Sequence, residues 1–412
     1  MTKPELALKM IEKISDEEWK KAENILTVNS KVGEWVIEIY KKFGKEVANK
    51  VKIVPSGEKT KLFIKKTLNI LGLDEYNILD IEDVNGNGTY DVRDFLDLDN
   101  EKIIELAGMN KHNKFSIIFS NPPYDGTLHL KFLKKYLEIA NNIVSIQPII
   151  WLFGKNDQST AIKDINIIKN ALNEYNSEIE KIDSTQFDCA VPQEWGIINI
   201  DLNKICKNVK IIHDTGSYNI DDIYTIKKYG NNVLLKTLNE KLEKLYKYDN
   251  FWNHIIFGPR AKGHLGKKEN EKKIDFNPNL NDIIINIPQI RGHINQTDFY
   301  TACENKLEPI KYKDYNNKGK TTPWSYIICN NIEYGKNIVN YLKTDFVRSC
   351  LFFNKFSTGL PIESIPWFDF SDSHFSKSPR EIDDWLFKKY NISDEIRKHM
   401  EEILPDYYNI RK

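Results

Sequence analysis

The chain has 412 residues, 41% of them hydrophobic, and its 59 basic residues balance 59 acidic ones. That length suits two domains better than one, and the lack of net charge excludes a global field pulling the molecule onto nucleic acid or membrane, leaving room only for a local basic groove. The five cysteines (Cys189, Cys206, Cys303, Cys329, Cys350) form no CxxC pair. This argues against a disulfide framework or a structural zinc site. No stretch approaches the roughly 20 apolar residues that span a bilayer, so an intracellular, reducing setting is expected.

Leu6, Met10, Ile11 and Ile14 recur at helical spacing behind Pro4, which suits a first helical turn. Asn24 to Val28 reads as a short strand, and Asn29 to Gly33 leads into a helix over Glu34 to Phe43. Val51 to Pro55 predicts a second strand, Ser56-Gly57 opens a helix reaching Leu71, and Tyr76 to Ile81 predicts a third strand. Beyond the turn at Asn85-Gly86-Asn87-Gly88 come a strand over Lys114 to Ser120, a helix over His129 to Ala140 and a strand over Asn142 to Pro148. Apolar segments at 178–184, 196–202 and 209–214 continue the pattern. Such alternation predicts a mostly parallel sheet with helices on both faces.

Around Asn231 the alternation stops, and a charged helix over Thr237 to Tyr248 opens a second domain. Arg260 to Lys273 reads as a basic, glycine-containing exposed loop, Ile283 to Trp324 as strand-like and turn-rich, and the remainder from Tyr334 as helical, with two helices in the tail from Ser378. The expected division is 1–230 and 231–412. The histidines, His264 and His293 among them, show no ligand spacing, so no metal site is expected.

Ligands of open parallel sheets bind beyond the carboxyl ends of the strands. Two segments fall on that edge. In Thr27-Val28-Asn29-Ser30-Lys31-Val32-Gly33, a glycine at the strand-to-helix turn lets backbone approach a ligand beside free helix N–H groups; alone it reads better as a plain turn. Asn121-Pro122-Pro123-Tyr124 is more specific, because two prolines stiffen it and remove competing N–H donors. The Asn121 amide oxygen and the Pro122 carbonyl can each accept a hydrogen from an exocyclic amine, and Tyr124 can stack on a base. The bland reading is a rigid turn.

Asn-Pro-Pro-Tyr after an apolar strand resembles the motif of the amino-group DNA methyltransferases that modify adenine at N6. The order of Thr2-Lys3-Pro4, then Asn29 to Trp35, then Asn121 to Tyr124, then a distinct C-terminal domain is similar to the γ arrangement, and more narrowly to the Eco57I-like branch of restriction-modification enzymes. That resemblance implies a Rossmann-like α/β catalytic domain with a mixed, mostly parallel seven-stranded sheet, and a C-terminal α+β target-recognition domain. It implies S-adenosyl-L-methionine as cofactor, double-stranded DNA with a flipped adenine as substrate, and a separate restriction endonuclease as partner. Residue by residue, it assigns Asn121, Pro122, Pro123 and Tyr124 to the adenine site, Thr2 and Pro4 to an N-terminal cofactor motif, and Asn29, Ser30, Lys31 and Gly33 to the methionine part of the cofactor. Asp94 and Phe95 would flank its adenine, and Pro55-Ser56 stands where the class commonly carries the carboxylate that holds the ribose. The broad class carries an acid where this chain has Thr27 and a glycine where it has Lys31. Ile146, Ile149 and Trp151 fit either the motif closing the base pocket or the core, and Arg260, Lys262, Lys267, Lys268 and Arg291 are the phosphate-contact candidates. Two alternatives stay open: a non-catalytic DNA-binding subunit, and an enzyme acting on RNA adenine or protein glutamine.

Overall fold

The structure is a computed structural model and describes residues 2–81, 88–153, 161–182, 194–213, 216–226, 233–257, 278–287, 307–317, 325–354 and 361–404. Two compact units, Met1–Lys227 and Lys228–Lys412, divide the chain.

In the first unit Pro4 sits in the opening turn of α1 (Pro4–Ile11), and Ser15 forms a reciprocal capping box with Glu18 at α2 (Asp16–Lys21), a helix the apolar spacing does not announce. There follow β1 (Ile25–Ser30), α3 (Glu34–Phe43), α4 (Lys45–Ala48), β2 (Val51–Pro55) and α5 (Glu58–Leu71). The expected strand over Tyr76 to Ile81 does not form. Glu75–Asn77 is a single 3-10 turn capped by Asp74, Ile78 makes an isolated bridge to Ile53, and the Ile81 N–H bonds locally to the Leu79 carbonyl instead of extending a ladder. Leu79 and Ile81 are nonetheless buried, so their apolar character serves the core without a strand.

Next come α6 (Asp94–Asp97), α7 (Asn100–Leu106), β3 (Phe115–Ser120), α8 (Leu128–Ile139), β4 (Ala140–Pro148), α9 (Ile162–Glu174), β5 (Tyr175–Ile182), β6 (Trp195–Ile205), β7 (Val209–His213) and β8 (Gly216–Ile220). Among the described residues the sheet has eight strands, not the expected seven, in the order β2-β1-β3-β4-β6-β5-β7-β8. β1 pairs in parallel with β2 and β3, β3 with β4, and β5 with β7, while β6 is antiparallel to both its neighbours and β8 to β7. Successive strand residues alternate between the two faces. Ile25, Ile117 and Phe119 pack with α1, α2, α3 and α5, whereas Leu26, Val28 and Ile118 pack on the opposite face with residues of α6 to α9. Apolar residues on both faces explain why these strands read as continuous hydrophobic runs.

The second unit contains α10 (Val233–Tyr248), α11 (Phe251–His254) and a four-stranded antiparallel sheet, β11-β10-β12-β9, made of β9 (Ile256–Phe257), β10 (Ile283–Ile287), β11 (Pro309–Lys311) and β12 (Ser325–Cys329). Helices Tyr312–Asn317, Ile332–Leu342, Asp345–Asn354, Pro379–Lys389 and Asp394–Ile403 are its other described α-helices. Phe251, Tyr341, Phe346, Phe370 and Phe375 centre an aromatic core, against which Trp367 and Phe368 pack. No helix among the described residues is long and apolar enough to cross a membrane.

Candidate active site

The chain leaves β1 for β2 on one side and later returns to β3 on the other. Their following loops therefore separate, which opens a crevice at the carboxyl edge of the sheet. The end of β1 is bulged: its register with β2 slips between Val28 and Ser30, and Asn29 takes a left-handed φ of 65°. Bulges of this kind re-aim a side chain; here the Asn29 Nδ2 group donates to the backbone carbonyl of Asn121. Gly33 also has a positive φ, 85°, and a Cβ there would lie 3.1 Å from Val36 Cγ1, so the turn into α3 suits glycine. The Ser30 hydroxyl accepts from the Gly33 N–H at 3.0 Å and donates to the Glu34 carboxylate at 2.7 Å.

On the other side, β3 ends at Ser120, whose hydroxyl meets that of Tyr136 at 2.8 Å. Beyond it the two prolines keep the chain extended, and the Asn121 carboxamide is held from both ends. Its Nδ2 donates to the Thr2 hydroxyl at 3.0 Å, and its Oδ1 accepts from the Tyr124 hydroxyl. That hydroxyl also lies 3.0 Å from the Ile146 carbonyl, and the Tyr124 ring meets Trp195 edge-on at 4.4 Å. Burial, and then the neighbouring Tyr136, push the Tyr124 phenol well above its ordinary range, so it stays a donor near neutral pH. His129, behind the tyrosine at 6.3 Å, is driven down to about 4 by burial and is neutral.

A cavity of about 550 Å³ lies between these segments. Of the residues singled out from sequence, Thr2, Asn29, Lys31 and Asn121 to Tyr124 line it. Others support the wall instead. Ser30 is buried behind the loop, Gly33 begins α3, and the Pro55 carbonyl accepts from the Tyr90 hydroxyl at 2.8 Å. Pro4 is exposed in the first turn of α1. Asp94 is buried and accepts from the Asp91 N–H at 2.8 Å, while Phe95 is a core residue stacked on Phe132 at 6.2 Å. Ile146, Ile149 and Trp151 are buried in the core. Arg260, Lys262, Lys267, Lys268 and Arg291 lie outside the described residues.

Ser56, beside Pro55 at the expected ribose position, lines the cavity, and sequence reasoning missed Glu34, the Asp91-Val92-Arg93 segment, Asp125 and Leu128, all on its wall. Arg93 Nε stands 2.7 Å from Asp91 Oδ1; burial alone would raise this carboxyl, but the arginine outweighs it and holds it below the usual range. The only available signal was adjacency to Asp94. A wider neighbouring cavity of about 750 Å³ shares Asp91, Arg93 and Leu128. On its wall Lys134 pairs with Asp164 at 3.0 Å, and Lys135 donates to the Leu96 and Leu98 carbonyls. The smaller cavity is the one that carries Asn121 and Tyr124.

No family model matches the chain, and no curated protein matches it. Among solved structures, the modification subunit of a candidate type I restriction enzyme from Vibrio vulnificus YJ016 is 12% identical, over 56% of this chain and 57% of that one, with a TM-score of 0.38. The methyltransferase subunit of a type I restriction-modification system from Streptococcus thermophilus is 13% identical over 51% and 46% of the two chains, TM-score 0.33. An O-methyltransferase from Bacillus cereus in complex with SAH is 13% identical over 48% and 90%, TM-score 0.29. The chain thus spans only about half of the first two. Likeness at this level assigns neither activity nor partner.

Proposed function

We propose that the protein is an S-adenosylmethionine-dependent methyltransferase acting on N6 of adenine in double-stranded DNA. One observation carries this reading: a single cavity wall joins the rigid Asn121-Pro122-Pro123-Tyr124 segment to the loop of Asn29, Lys31 and Glu34. The volume, about 550 Å³, suits a small-molecule ligand, and the wall supplies a carboxylate, carboxamides and a hydroxyl, the donors and acceptors that an amino-acid moiety and a nucleoside require. Thr2, Asn29, Lys31 and Glu34 would hold the methionine part, with Ser56 and Asp91 near the nucleoside. When bound, the cofactor supplies an electrophilic methyl group on a sulfonium.

The chain's own work is orientation. Asn121 Oδ1 has two lone pairs; Tyr124 uses one, and the other, together with the Pro122 carbonyl, can accept the two N6 hydrogens of a base flipped out of the duplex. Pulling both hydrogens toward acceptors turns the nitrogen lone pair out of conjugation with the ring and toward the methyl carbon. With the cofactor held by Thr2, Asn29, Lys31 and Glu34, an amine oriented in this way would be placed to take its methyl group, the displaced electron pair being left on sulfur and the surplus N6 proton passing to water. Because Thr2 fixes Nδ2, the amide presents its oxygen without rearrangement during the reaction.

The segment order supports the γ arrangement and the Eco57I-like branch, with residues 231–412 as target-recognition domain and a separate restriction endonuclease as partner. The test is sequencing, with detection of modified bases, of unmethylated DNA incubated with protein and cofactor. N6-methyladenine confined to one sequence motif is expected; modification of RNA or of protein glutamine instead would overturn the substrate. Asn121→Ala should lower the methylation rate by about 100- to 1,000-fold or more, with the circular dichroism spectrum unchanged.

A further inference from the structure

Glu34 is a carboxylate withdrawn from water, 6% exposed, on the wall of the cavity. Its oxygens are unequally used. Oε2 accepts from the Ser30 hydroxyl at 2.7 Å and from the Lys31 and Val32 N–H groups at 3.0 and 3.3 Å. Among the described residues Oε1 accepts only from the Thr2 N–H, at 3.4 Å, long for such a bond. A carboxylate oxygen offers two acceptor directions, so Oε1 retains capacity. Among the described residues no lysine, arginine or histidine forms an ion pair with Glu34. The three donors on Oε2 and the start of α3 share part of the charge, but a buried anion with no counter-charge among the described residues remains costly.

A ligand cation with N–H donors would satisfy both deficits at once. We infer that Glu34 binds the α-ammonium group of S-adenosylmethionine, an inference that rests on the cofactor proposed above. The sulfonium offers charge but no hydrogen to donate, and the ribose offers hydrogens but no charge; the ammonium has both. This assignment also accounts for Thr27, where the chain carries a hydroxyl in place of an acid: Thr27 is 1% exposed within β1, its hydroxyl 3.4 Å from the Lys52 carbonyl, and does not line the cavity. The negative charge enters seven positions later, from the first residue of α3.

The experiment is calorimetric titration, with and without duplex DNA, of wild type, Glu34→Gln and Glu34→Asp. The ligands are S-adenosylhomocysteine and its analogue with hydrogen in place of the α-amino group. Wild type should bind S-adenosylhomocysteine about 10- to 100-fold more tightly than the analogue, the worth of a charge-assisted hydrogen bond. Glu34→Gln, nearly isosteric, should bring the two affinities together by weakening only the first ligand, and Glu34→Asp should restore part of the difference. Equal weakening of both ligands, or none, would show that Glu34 merely braces the loop. If Glu34→Gln does not fold, the wild-type ratio decides: equal affinities overturn the role of Glu34 and leave the cofactor standing. Binding of neither ligand overturns the cofactor and, with it, this inference.

Discussion

Thr2 and Asn121 are far apart in sequence, yet a hydrogen bond of 3.0 Å between them, with that from Tyr124 to the amide oxygen, fixes which end of the carboxamide faces the cavity. An amide that can turn over presents its NH2 group to an incoming amine half of the time, and donor then meets donor. Thr2→Val keeps the shape and removes the acceptor. It is expected to lower kcat by about tenfold, the worth of one hydrogen bond, while leaving KM for DNA nearly unchanged; Thr2→Ser should restore the rate. Steady-state kinetics on methyl transfer gives both numbers, and a change confined to KM would remove Thr2 from the orientation of Asn121. Asn29 acts from the other side, its bulge setting the side chain against the Asn121 carbonyl.

Helix ends show the same economy of contacts. In the second unit the helix Asp345–Asn354 begins on the carboxylate of Asp383, whose two oxygens accept from the Asp345 and Phe346 N–H groups at 2.8 and 2.9 Å. Burial first, and then the Asp345 carboxylate, raise Asp383 to about 8; the two N–H donors and Arg397 pull the other way. In the unfolded chain an aspartic acid titrates near 3.9, so between about pH 4 and pH 8 the folded state holds a proton that the unfolded state has released. Stability from this group is therefore complete at low pH and declines as pH rises through that window, levelling above about 8. Thermal unfolding of wild type and Asp383→Asn should diverge accordingly. Relative to the variant, wild type should lose more than about 1.4 kcal/mol between about pH 5 and pH 8, the equivalent of one unit of pKa. A pH-independent difference would place the Asp383 titration outside that range.

For the molecule as a whole, zero net charge and a division into two units leave the proposed DNA affinity to local clusters of charge. Arg260, Lys262, Lys267, Lys268 and Arg291 are proposed to contact phosphates. Replacing all five by alanine is expected to flatten the dependence of log K on log salt by up to about 4 to 5, near 0.9 for each phosphate no longer neutralised. Binding of S-adenosylhomocysteine should be unchanged. An unaltered salt slope would move the phosphate-binding residues elsewhere on the surface.

Local periodicity was enough to read β1 to β4, α3, α5, α8 and the two tail helices, because each writes its burial into residues close in sequence. The same rule misread Tyr76 to Ile81, since Leu79 and Ile81 are buried without joining a ladder. It passed over β8, whose Gly-Ser-Tyr-Asn-Ile sequence has no apolar face and is ordered by pairing with β7. Asn121 to Tyr124 was legible as a rigid motif because two adjacent prolines restrict the backbone wherever they occur. Its partners were not. The bond from Asn29 spans 92 residues and that to Thr2 spans 119, and Glu34 looked like any acid in a first helical turn. Chain stiffness and side-chain period act over a few residues and are written in the sequence, whereas the meeting of Thr2, Asn29, Glu34 and Asn121 around one cavity depends on strand order, which places β1 against β3 and exists only in the folded sheet.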